Sequence, residues 1–530
     1  MGYRLIETDG TGLCERYGIS GLLGLFLSAA DLKEEQIVEL LGVPQKVRTS
    51  QAQCVKKACA RIAAAAENGE KVFVGGDYDA DGICSTAIMK DVLDRLGIVN
   101  GYYIPDRFRE GYGLRPETVR LAHGKGYTLI ITVDNGVKAH EAIEEAHRLG
   151  IEIIVTDHHR IDEQPKADIL VHPDFMEEEY QYLCGAGVAL QISRTLIGDC
   201  PAHIAIAAVA HIGDVMELWK QTRAIVRQGT EYLDSGTVKA FSALNERKVP
   251  FDREVIGFQI APKLNSVGRM NDISNVNTLV PFLLSKDDRT VLSYTMQLNH
   301  VNEMRKQLSA DMVRQAERMM GDDPFPVICS PDFHEGICGL AAGRLARAYH
   351  RPVLIMTDTE NGIKGSGRSV KGLDLYEFFQ EGFPELTAFG GHSMAVGLTV
   401  QNGMLDIFRD KVHRKYEACG FCPEEESMDY IVLRRPVSLE EAEDLQRLEP
   451  FPAELAELRF AVKDPVILNI SRSTGVTRFV LKNGEGTLDA VLFPYRRLPV
   501  PEKVRLIGGR LKINEWNHRR TLQLDVDLVE

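Results

Sequence analysis

The sequence lacks the features that would place the chain in a membrane or outside the cell. Its longest apolar stretches, near residues 19–30 and 204–210, are much shorter than the about 20 residues that a spanning helix needs. The N-terminus has acidic residues before any apolar run, which does not fit a secretory signal. The 10 cysteines are scattered and form no disulfide framework, so they predict reduced thiols in a cytoplasmic protein.

The sequence is also poor in metal-binding cysteine pairs and in positive charge. Its one Cys-x-x-Cys pair, Cys419 and Cys422, has no second pair to complete a tetrahedral zinc site. The net charge of −14 argues against a protein that coats nucleic acid through bulk charge. Residues 451–530 differ, because they contain 13 Lys/Arg against 10 Asp/Glu. This asymmetry suits an acidic metal site with a separate nucleic-acid-binding module, and it suits a plain hydrolase equally well.

The composition is that of a folded protein with several domains. The 530 residues are 44% hydrophobic and 26% charged, and at about 100–200 residues per domain they predict three or four domains. Residues 51–214 alternate β-branched runs with helical patterns, which is typical of a parallel sheet covered by helices on both faces. The predicted strands begin at Lys71, Thr128, Ile151 and Asp168. This part of the chain is therefore predicted to be an α/β domain.

The rest of the chain predicts a second α/β domain and a small β-domain. Residues 325–400 repeat the strand–helix pattern, and an amphipathic stretch at 296–320 precedes them. That stretch is either a helix that connects two domains or a surface helix packed on one of them. After an acidic linker, short strands separated by turn residues predict a small barrel or sandwich. The predicted segments are an N-terminal segment (1–50), an α/β domain with a helical extension (51–295), a connecting helix (296–320), a second α/β domain (321–423) and a β-domain (424–530).

Acidic residues and histidines follow the predicted strands of the first domain. The first strand is followed by Asp-Tyr-Asp-Ala-Asp-Gly (77–82), the second by Asp134, and the third by Asp-His-His (157–159). A helical segment ends at Asp214. The carboxyl ends of parallel strands lie at one edge of a sheet, where ligands bind. We therefore expect these side chains to converge in one small volume.

Such a cluster predicts bound cations, because several carboxylates in a small volume repel each other. Aspartate and histidine ligation by more than four groups predicts two metal ions about 3.5–4 Å apart, as in many phosphate-ester hydrolases. These ligands favour Mn²⁺, with Mg²⁺ as the alternative and zinc still open. A single aspartate can instead cap the following helix, but helix caps do not need Asp-x-Asp-x-Asp or paired histidines. A calcium loop is not expected, because Ile88 occupies the position of its glutamate.

Four motifs resemble those of the DHH phosphoesterase superfamily, namely GDYDADG, TVDNG, VTDHH and the GD of HIGDVMEL. Further segments are similar, in order, to those of the RecJ-type single-stranded-DNA-specific exonucleases within it: PDRFREGYGL, CGAGVAL, PKLNSVGRM, HEGICGLAAGRLA, GSGRS and FGGHSMAVGL. The resemblance runs from about residue 51 to 400 and continues more weakly to the end. It implies an α/β fold in which a DHH parallel-sheet catalytic domain is joined by a long helix to a second α/β (DHHA1) domain. A small all-β OB-like domain is expected to follow.

The resemblance also implies roles for the clustered residues. Asp134 is expected to bridge the two metal ions, and Asp77 either binds an ion or orients a ligand. The expected catalytic residues are Asp134 and His159. His159 matches a histidine that faces the scissile phosphate, with a hydrogen bond to a carboxylate as the alternative. The residues that match metal ligands are Asp77, Asp79, Asp81, Asp134, His158 and Asp214.

The second α/β domain is expected to close over the substrate and bind its phosphates. Ser366 and Arg368 most resemble a pocket for a terminal 5′ phosphate, because arginine and glycine-flanked N–H groups bind phosphate. In the tail, Trp516 is expected to stack on bases, and Arg519 and Arg520 are expected to bind phosphates. The alternative is that the aromatic side chain belongs to the core and that the charged side chains form a solvated face. The other expected substrate contacts, each with a structural hydrogen bond as the alternative, are Arg107, Asn265, Arg269, His334, Arg344, Gly390, Gly391 and His392.

The expected function is hydrolysis of single-stranded DNA from its 5′ end to 5′-mononucleotides by two-metal activation of water, in DNA repair and recombination. The expected partners are single-stranded DNA, a single-stranded-DNA-binding protein and a helicase. The chain is expected to be a monomer that does not associate with a membrane. One alternative is a DHH phosphodiesterase that acts on short oligoribonucleotides or cyclic dinucleotides. Another is a non-catalytic nucleic-acid adaptor, which would be expected to lack metal ligands, and no ligand position is missing here. Tolerance of RNA stays open.

Overall fold

The computed structural model divides the chain into two compact units. One is Gln45–Glu424, and the other combines Met1–Pro44 with Glu425–Glu530. The structure describes residues 2–530 apart from 107–109, 112, 361, 424–426, 457, 474, 497 and 517–518, and it describes no side chain at 454, 495 or 516. Among the described residues, no helix combines the length and the apolar character needed to cross a bilayer.

Strands and helices are numbered along the whole chain. The strands are β1 (Gly2–Ile6), β2 (Lys71–Gly75), β3 (Val99–Tyr103), β4 (Leu129–Val133), β5 (Glu152–Thr156), β6 (Ile169–Val171), β7 (Val327–Cys329), β8 (Val353–Thr359), β9 (Gly362–Arg368), β10 (Leu386–His392), β11 (Ala395–Val400), β12 (Ser427–Val432), β13 (Arg459–Lys463), β14 (Ile467–Ser473), β15 (Val476–Asn483), β16 (Gly486–Leu492), β17 (Leu506–Trp516) and β18 (Arg519–Val529). The helices are α1 (Thr11–Tyr17), α2 (Gly21–Ala29), α3 (Glu34–Leu41), α4 (Gln53–Glu67), α5 (Ala80–Arg95), α6 (Pro116–Gly124), α7 (His140–Arg148), α8 (Gly185–Ile197), α9 (Pro201–Gly213), α10 (Lys220–Asp234), α11 (Lys239–Leu244), α12 (Arg253–Val255), α13 (Ala261–Arg269), α14 (Leu279–Leu284), α15 (Asp288–Met320), α16 (Glu335–Tyr349), α17 (Leu375–Gln380), α18 (Leu405–Cys419), α19 (Leu439–Gln446) and α20 (Ala453–Ala456).

The first sheet is parallel, with the strand order β3-β2-β4-β5-β6. Successive side chains of a strand point to opposite faces. Val72 and Val74 therefore join a core with α5 and α8, whereas Phe73 joins a core with α6 and α7. β4 is buried along its whole length, as expected for a strand covered on both faces. The predicted α/β fold with a parallel sheet is confirmed.

Helix α15 is longer than the predicted connecting helix, because it begins at Asp288 rather than at residue 296. Leu298, in its first half, belongs to the core around the first sheet. Met312 and Ala316, in its second half, pack in a different core that contains residues of α16. α15 therefore packs on both α/β parts of this unit, which favours the connecting helix over the surface helix.

The second sheet has the order β10-β11-β9-β8-β7, and only β7 and β8 pair in parallel among these described strands. Its core contains the fully buried rings of Phe325, Phe379 and Phe408. α16 packs against β8 and β9. This arrangement is the second α/β part that the sequence predicts.

The other unit is built on a sheet with the order β1-β12-β13-β17-β18-β16-β15-β14. The sequence predicts its β-rich tail but does not predict that the N-terminal segment joins it. β1 pairs in parallel with β12, from Gly2 opposite Ser427 to Ile6 opposite Ile431. The ring of Phe26, on α2, lies 5.6 Å from that of Phe451. Pairing between two segments so far apart along the chain leaves no local pattern in the sequence.

A buried ion pair in this unit provides a stability test. Arg459 Nε lies 3.1 Å from Asp527 Oδ2, and the Tyr430 hydroxyl donates to Asp527 Oδ1 at 2.9 Å. We expect Asp527→Ala to lower the free energy of unfolding of this unit by about 3–5 kcal/mol, because Arg459 is left charged and buried. Urea unfolding, followed by hydrogen exchange of the β17 and β18 amides, measures the change.

The control is Asp444→Ala, which removes the half-buried partner of the exposed Arg447 and should change the free energy of unfolding by less than about 1 kcal/mol. Equal effects of the two substitutions would contradict the structural importance of the buried pair.

Candidate metal centre and substrate-binding residues

The carboxylates converge because parallel strands end at the same edge of the sheet. Asp77 follows β2 and Asp134 follows β4, and both are almost completely buried. Asp79 caps α5, since its Oδ1 accepts hydrogen bonds from the N–H groups of Asp81 at 3.0 Å and Gly82 at 3.1 Å. Its other carboxylate oxygen makes neither of these capping bonds. The capping role and the predicted metal-ligand role are therefore compatible in one side chain.

Asp81 is held by the N-terminus of α8. Its carboxylate oxygens accept hydrogen bonds from the N–H groups of Gly185 at 2.6 Å and Ala186 at 2.7 Å. A helix N-terminus binds a nearby anion through its free N–H groups, so α8 holds and orients this carboxylate. A Cβ at Gly185 would lie 2.5 Å from Asp134 Cβ, which restricts that position to glycine. These N–H groups were not predicted from the sequence, although they lie in the segment CGAGVAL.

His158 faces three of the carboxylates. Its Nε2 lies 3.2 Å from Asp134 Oδ1, 3.6 Å from Asp214 Oδ2 and 3.7 Å from Asp81 Oδ2. This nitrogen is buried and has no hydrogen-bond partner among the described residues. Burial lowers the pKa of His158 to about 4, against the opposing effect of Asp81. A neutral imidazole with a lone pair aimed at carboxylates fits a metal ligand.

The predicted ligands form two groups. Asp81, His158 and Asp214 bring one ligand atom each within 4.8 Å of one another, and so do Asp77, Asp79 and Asp134. Asp134 also lies beside His158, and it is therefore close to both groups. Oxygen donors with one imidazole suit Mn²⁺ or Mg²⁺. The donor set thus fits two divalent cations, with Asp134 in the position expected of a bridging ligand.

The electrostatics of the cluster favour cation binding. Burial and then the charges of Asp81 and Asp79 raise the pKa of Asp214 to about 8. The same causes, with Asp77 in addition, raise the pKa of Asp134 well above its usual range. Carboxyl groups hold protons at such pH values when their negative charges are not compensated. Divalent cations compensate this charge and keep the carboxylates ionised.

His159 is hydrogen-bonded to a carboxylate, which was the alternative to a histidine that faces the scissile phosphate. Its Nδ1 lies 2.8 Å from Asp157 Oδ1. Burial lowers the pKa of His159, but the hydrogen bond and the charge of Asp157 outweigh it and raise the pKa to about 9. The imidazole is therefore protonated at neutral pH, and about a third of its surface is exposed. Asp157 was not predicted as a functional residue, although it stands beside the two histidines in the sequence.

Helix α13 contacts both the metal-binding loop and α16. Near its middle, Asn265 Oδ1 accepts a hydrogen bond from the N–H of Ala80 at 2.7 Å. Beyond its end, Asp272 Oδ1 lies 3.2 Å from His334 Nε2, while His334 Nδ1 accepts from the N–H of Gly336 at 3.1 Å. Asn265 and His334 thus make structural hydrogen bonds, and their contacts with substrate stay a prediction. Arg269 is on α13 between these two contact points.

Sheet register brings the residues of the predicted phosphate pocket together. On β11, Gly397 pairs with both Ser366 of β9 and Gly390 of β10. In the next row on the same face, Ala395 pairs with both Arg368 and His392. Ser366, Arg368 and His392 therefore share one face, and the small residues between them leave space.

The N-terminal half of α16 lies against this face. A Cβ at Gly339 would come within 2.9 Å of both Ser366 Oγ and Arg368 Nη2. Arg368 Nη1 also donates to the carbonyl of Gly367 at 2.8 Å. Glycine at position 339 therefore lets a serine hydroxyl and a guanidinium group approach the same point on α16. Gly391, which pairs with Val396, continues the exposed end of β10.

Arg305 of α15 was not predicted from the sequence. Its Nη2 donates to Asn302 Oδ1 at 2.8 Å, and its Nε is buried without a hydrogen-bond partner among the described residues. Burial and then the positive charge of Arg344 lower the pKa of Arg305. The neighbouring guanidinium groups of Arg305 and Arg344 could together bind an anion. The signal in the sequence is a charged residue within the buried stripe of the helix that contains Val301 and Met312.

The remaining predicted residues stand as follows. Arg107 lies outside the described residues, and Trp516 is described only by its backbone in β17. Trp516 pairs with Arg519, and the next pair joins Glu515 to Arg520. Arg519 is exposed, while Arg520 Nη1 lies 2.6 Å from Glu443 Oε1. The predicted contacts of the tail with nucleic acid remain predictions.

Three family models match the chain in order. The DHH family, N-terminal domain, matches residues 71–212, the DHHA1 domain matches 322–418, and the RecJ OB domain matches 428–527. These matches cover the parallel sheet, the second sheet with α16, and most of the β-rich tail. The architecture expected from the resemblance is confirmed.

Named relatives and solved structures agree with these matches. The single-stranded-DNA-specific exonuclease RecJ of Bacillus subtilis (strain 168) is 31% identical over 495 residues, which are 89% of this chain and 62% of that protein. This chain thus spans less than two thirds of the length of the Bacillus protein. The RecJ protein of Salmonella typhimurium (strain LT2) is 30% identical over 509 residues, which are 87% of each chain.

The crystal structure of RecJ from Thermus thermophilus in complex with Mn²⁺ matches with a TM-score of 0.85 at 23% identity, covering 100% of this chain and 79% of that one. A crystal structure of exonuclease RecJ bound to manganese matches with a TM-score of 0.63 at 28% identity, covering 72% of this chain and 97% of that one. The similarity to the Bacillus and Salmonella proteins and the three family-model matches establish that the chain belongs to the RecJ family of single-stranded-DNA-specific exonucleases.

Proposed function

We propose that this chain is a metal-dependent exonuclease that hydrolyses single-stranded DNA from its 5′ end to 5′-mononucleotides. The observation that supports this most is the convergence of all six predicted ligands, Asp77, Asp79, Asp81, Asp134, His158 and Asp214, in two groups that meet at Asp134. Relatives named as single-stranded-DNA-specific exonucleases, and RecJ structures with bound Mn²⁺, support the same chemistry.

The chain's own residues prepare the site for phosphodiester hydrolysis. Two divalent cations, Mn²⁺ in the first place and Mg²⁺ as the alternative, would supply an activated water and neutralise charge on the phosphate. The helix α8 N-terminus holds Asp81 in its ligating orientation. His158 would offer a neutral nitrogen to a cation, and Asp134, which lies close to both groups of ligands, would help to hold the cations. His159 is kept protonated by Asp157, and it can donate a hydrogen bond to the scissile phosphate as negative charge develops.

The substrate strand is proposed to run from the metal centre along α13 to the second sheet. α13 contacts the metal-binding loop through Asn265 and the start of α16 through Asp272, so Arg269 is suitably placed for a phosphate between them. Ser366, Arg368 and His392 would bind the terminal 5′ phosphate on their shared face. Arg344 and Arg305 offer a further anion contact on neighbouring helices.

The proposal extends to the setting in which the protein acts. The β-rich unit, with Trp516, Arg519 and Arg520 on the hairpin of β17 and β18, would also bind the single strand. A single-stranded-DNA-binding protein and a helicase are the proposed protein partners in DNA repair and recombination. The proposed state is a cytoplasmic monomer.

Asp134→Asn tests the catalytic assignment on single-stranded DNA labelled at its 3′ end. We expect the unchanged chain with Mn²⁺ to shorten the strand progressively from the 5′ end and to spare a duplex. Asp134→Asn should reduce this activity by about 10³-fold or more, because one ligand of both cations is weakened. Asparagine is chosen because Asp134 has a φ of 61°, a conformation that asparagine adopts readily.

The matched control is Asp94→Asn on the exposed face of α5, where Asp94 pairs with Lys90. This variant should keep full activity. Near-normal activity of Asp134→Asn would contradict the metal assignment. Cleavage of short RNA or cyclic dinucleotides with intact DNA would replace the proposed substrate, and metal binding without any cleavage would favour the adaptor.

Arg368→Ala tests the proposed 5′-phosphate pocket. Because a hydrogen bond to a charged group contributes about 1.5–3 kcal/mol, its loss should reduce the preference for 5′-phosphorylated over 5′-hydroxyl strands about tenfold or more. Competition between the two strands, measured as kcat/KM, reports the preference. Arg414→Ala, at an exposed arginine of α18, is the control. An unchanged preference in Arg368→Ala would exclude this pocket.

A further inference from the structure

Three unusual features lie together where α9 ends and α13 begins. Val215, directly after the predicted ligand Asp214, has a φ of 57° and is 74% exposed. Phe258 is 81% exposed, and it lies in a π turn that joins α12 to α13. Single exposed apolar side chains are common, but a β-branched residue rarely has a positive φ, and π turns are rare outside functional sites. The mechanism proposed above uses neither side chain.

The π turn has a cause in the sequence. Pro262 has no N–H to donate to the carbonyl of Phe258, four residues before it. The N–H of Ala261 donates to the carbonyl of Ile256, five residues before it, which is the spacing of a π-helix. Ile256 and Ile260 stay in the core around the first sheet, whereas Phe258 faces solvent. The widened turn therefore presents an aromatic ring at the surface without loss of core packing.

Helix packing places this ring beside the metal centre. A Cβ at Gly257 would lie 3.6 Å from Ile212 Cγ2. Ile212 is near the end of α9, two residues before Asp214. Phe258 follows Gly257 directly, so its ring lies at the border of this contact, near the turn that carries Asp214 and Val215. The two exposed apolar side chains thus stand at the same side of the predicted metal site.

Phe258 also shares a side of its helix with two predicted substrate contacts. Asn265 is 7 residues further along and Arg269 is 11 residues further, which are close to whole numbers of helical turns. The distance from Phe258 to Arg269 along the helix is about 16 Å. Because stacked bases are about 3.4 Å apart, this side of the helix is long enough to contact several nucleotides. Phe258 therefore extends the proposed path of the strand to the far side of Asn265.

We propose that Phe258, flanked by Val215, is the platform on which the base of the first nucleotide beyond the cleaved bond stacks. This inference rests on the proposed exonuclease function and adds a residue that positions its substrate. The proposed 5′-phosphate pocket at Arg368 lies past the Arg269 end of the helix. Phe258 lies at the opposite end, so the terminal nucleotide occupies the Arg269 side. The nucleotide that remains on the strand after cleavage occupies the Phe258 side.

The chemistry of an exposed phenyl ring suits this role. Every base has a flat π face, so stacking on Phe258 holds the strand without selecting a sequence. The contact fixes the register of the strand relative to the scissile phosphate. It also favours single strands, because a paired base is held within the duplex stack and cannot turn onto the ring. Val215 adds an apolar edge next to Asp214 that excludes water from the stacked base.

Phe258→Ala tests the contact on single-stranded DNA with a 3′ label. It should lower kcat/KM for release of the first nucleotide about fivefold to a hundredfold, the range found when one base–aromatic stack is removed. Phe258→Trp keeps a flat ring and should stay within about twofold of the unchanged chain. The melting temperature should not fall in either variant, because the ring is exposed. The control is Leu121→Ala, at a residue of α6 that is 65% exposed and lies on the other face of the first sheet.

Abasic substrates test the assigned position. With an abasic second nucleotide, Phe258→Ala and the unchanged chain should differ by less than about twofold, because no base is present to stack. With an abasic first nucleotide, the full difference should remain.

Three results would overturn the inference and leave the proposed function intact. One is equal kcat/KM of Phe258→Ala and the unchanged chain on intact DNA. Another is a loss that persists in full on the strand with the abasic second nucleotide, which would indicate a structural role. The third is a loss that disappears only with the abasic first nucleotide. Absence of single-stranded-DNA hydrolysis by the unchanged chain would overturn the proposed function, and this inference with it.

Discussion

Mutual repulsion of buried carboxylates is the constraint on which the metal centre depends. Asp77, Asp81 and Asp134 are almost completely withdrawn from water, and Asp214 is close to them. Water cannot screen these charges at such depth, so either protons or cations must balance them. In the chain without metal ions, this repulsion contributes to raising the pKa of Asp214 to about 8. Divalent cations bound by these carboxylates would resolve it, and they would supply the chemistry of the proposed catalytic site.

The scaffold explains how such a cluster stays folded. The parallel sheet brings the residues after β2, β4 and β5 to one edge, and its apolar strands are buried on both faces. The N-terminus of α8 compensates Asp81, and Asp157 holds His159 in its protonated form. Gly185 permits the close approach of α8 to Asp134. The residues around the ligands therefore limit the electrostatic cost of gathering them.

Much of this arrangement follows from the sequence, because strand and helix periods and residues at strand ends are local signals. Asp134, His158 and Asp214 could be assigned to one cluster in this way. The N–H groups that bind the Asp81 carboxylate could not be predicted from the sequence, because they belong to a helix that begins at Gly185, far along the chain. The pairing of β1 with β12 and the place of Arg305 in a buried stripe likewise depend on long-range packing. Asn265 and His334 are of residue types that commonly bind phosphate groups. In this structure, however, each accepts a hydrogen bond from a backbone N–H group.

The most direct test of the electrostatic account is the melting temperature of the chain with EDTA and with Mn²⁺, at pH 6 and pH 9. The folded-state pKa of Asp214 is raised from 3.8 to about 8 and that of His159 from 6.5 to about 9, so both stabilise the metal-free fold at low pH and lose this contribution as pH rises through those values. Mn²⁺ binding requires deprotonated carboxylates, so the increase in melting temperature on adding Mn²⁺ should be larger at pH 9 than at pH 6. An equal or smaller increase at pH 9 would contradict the account.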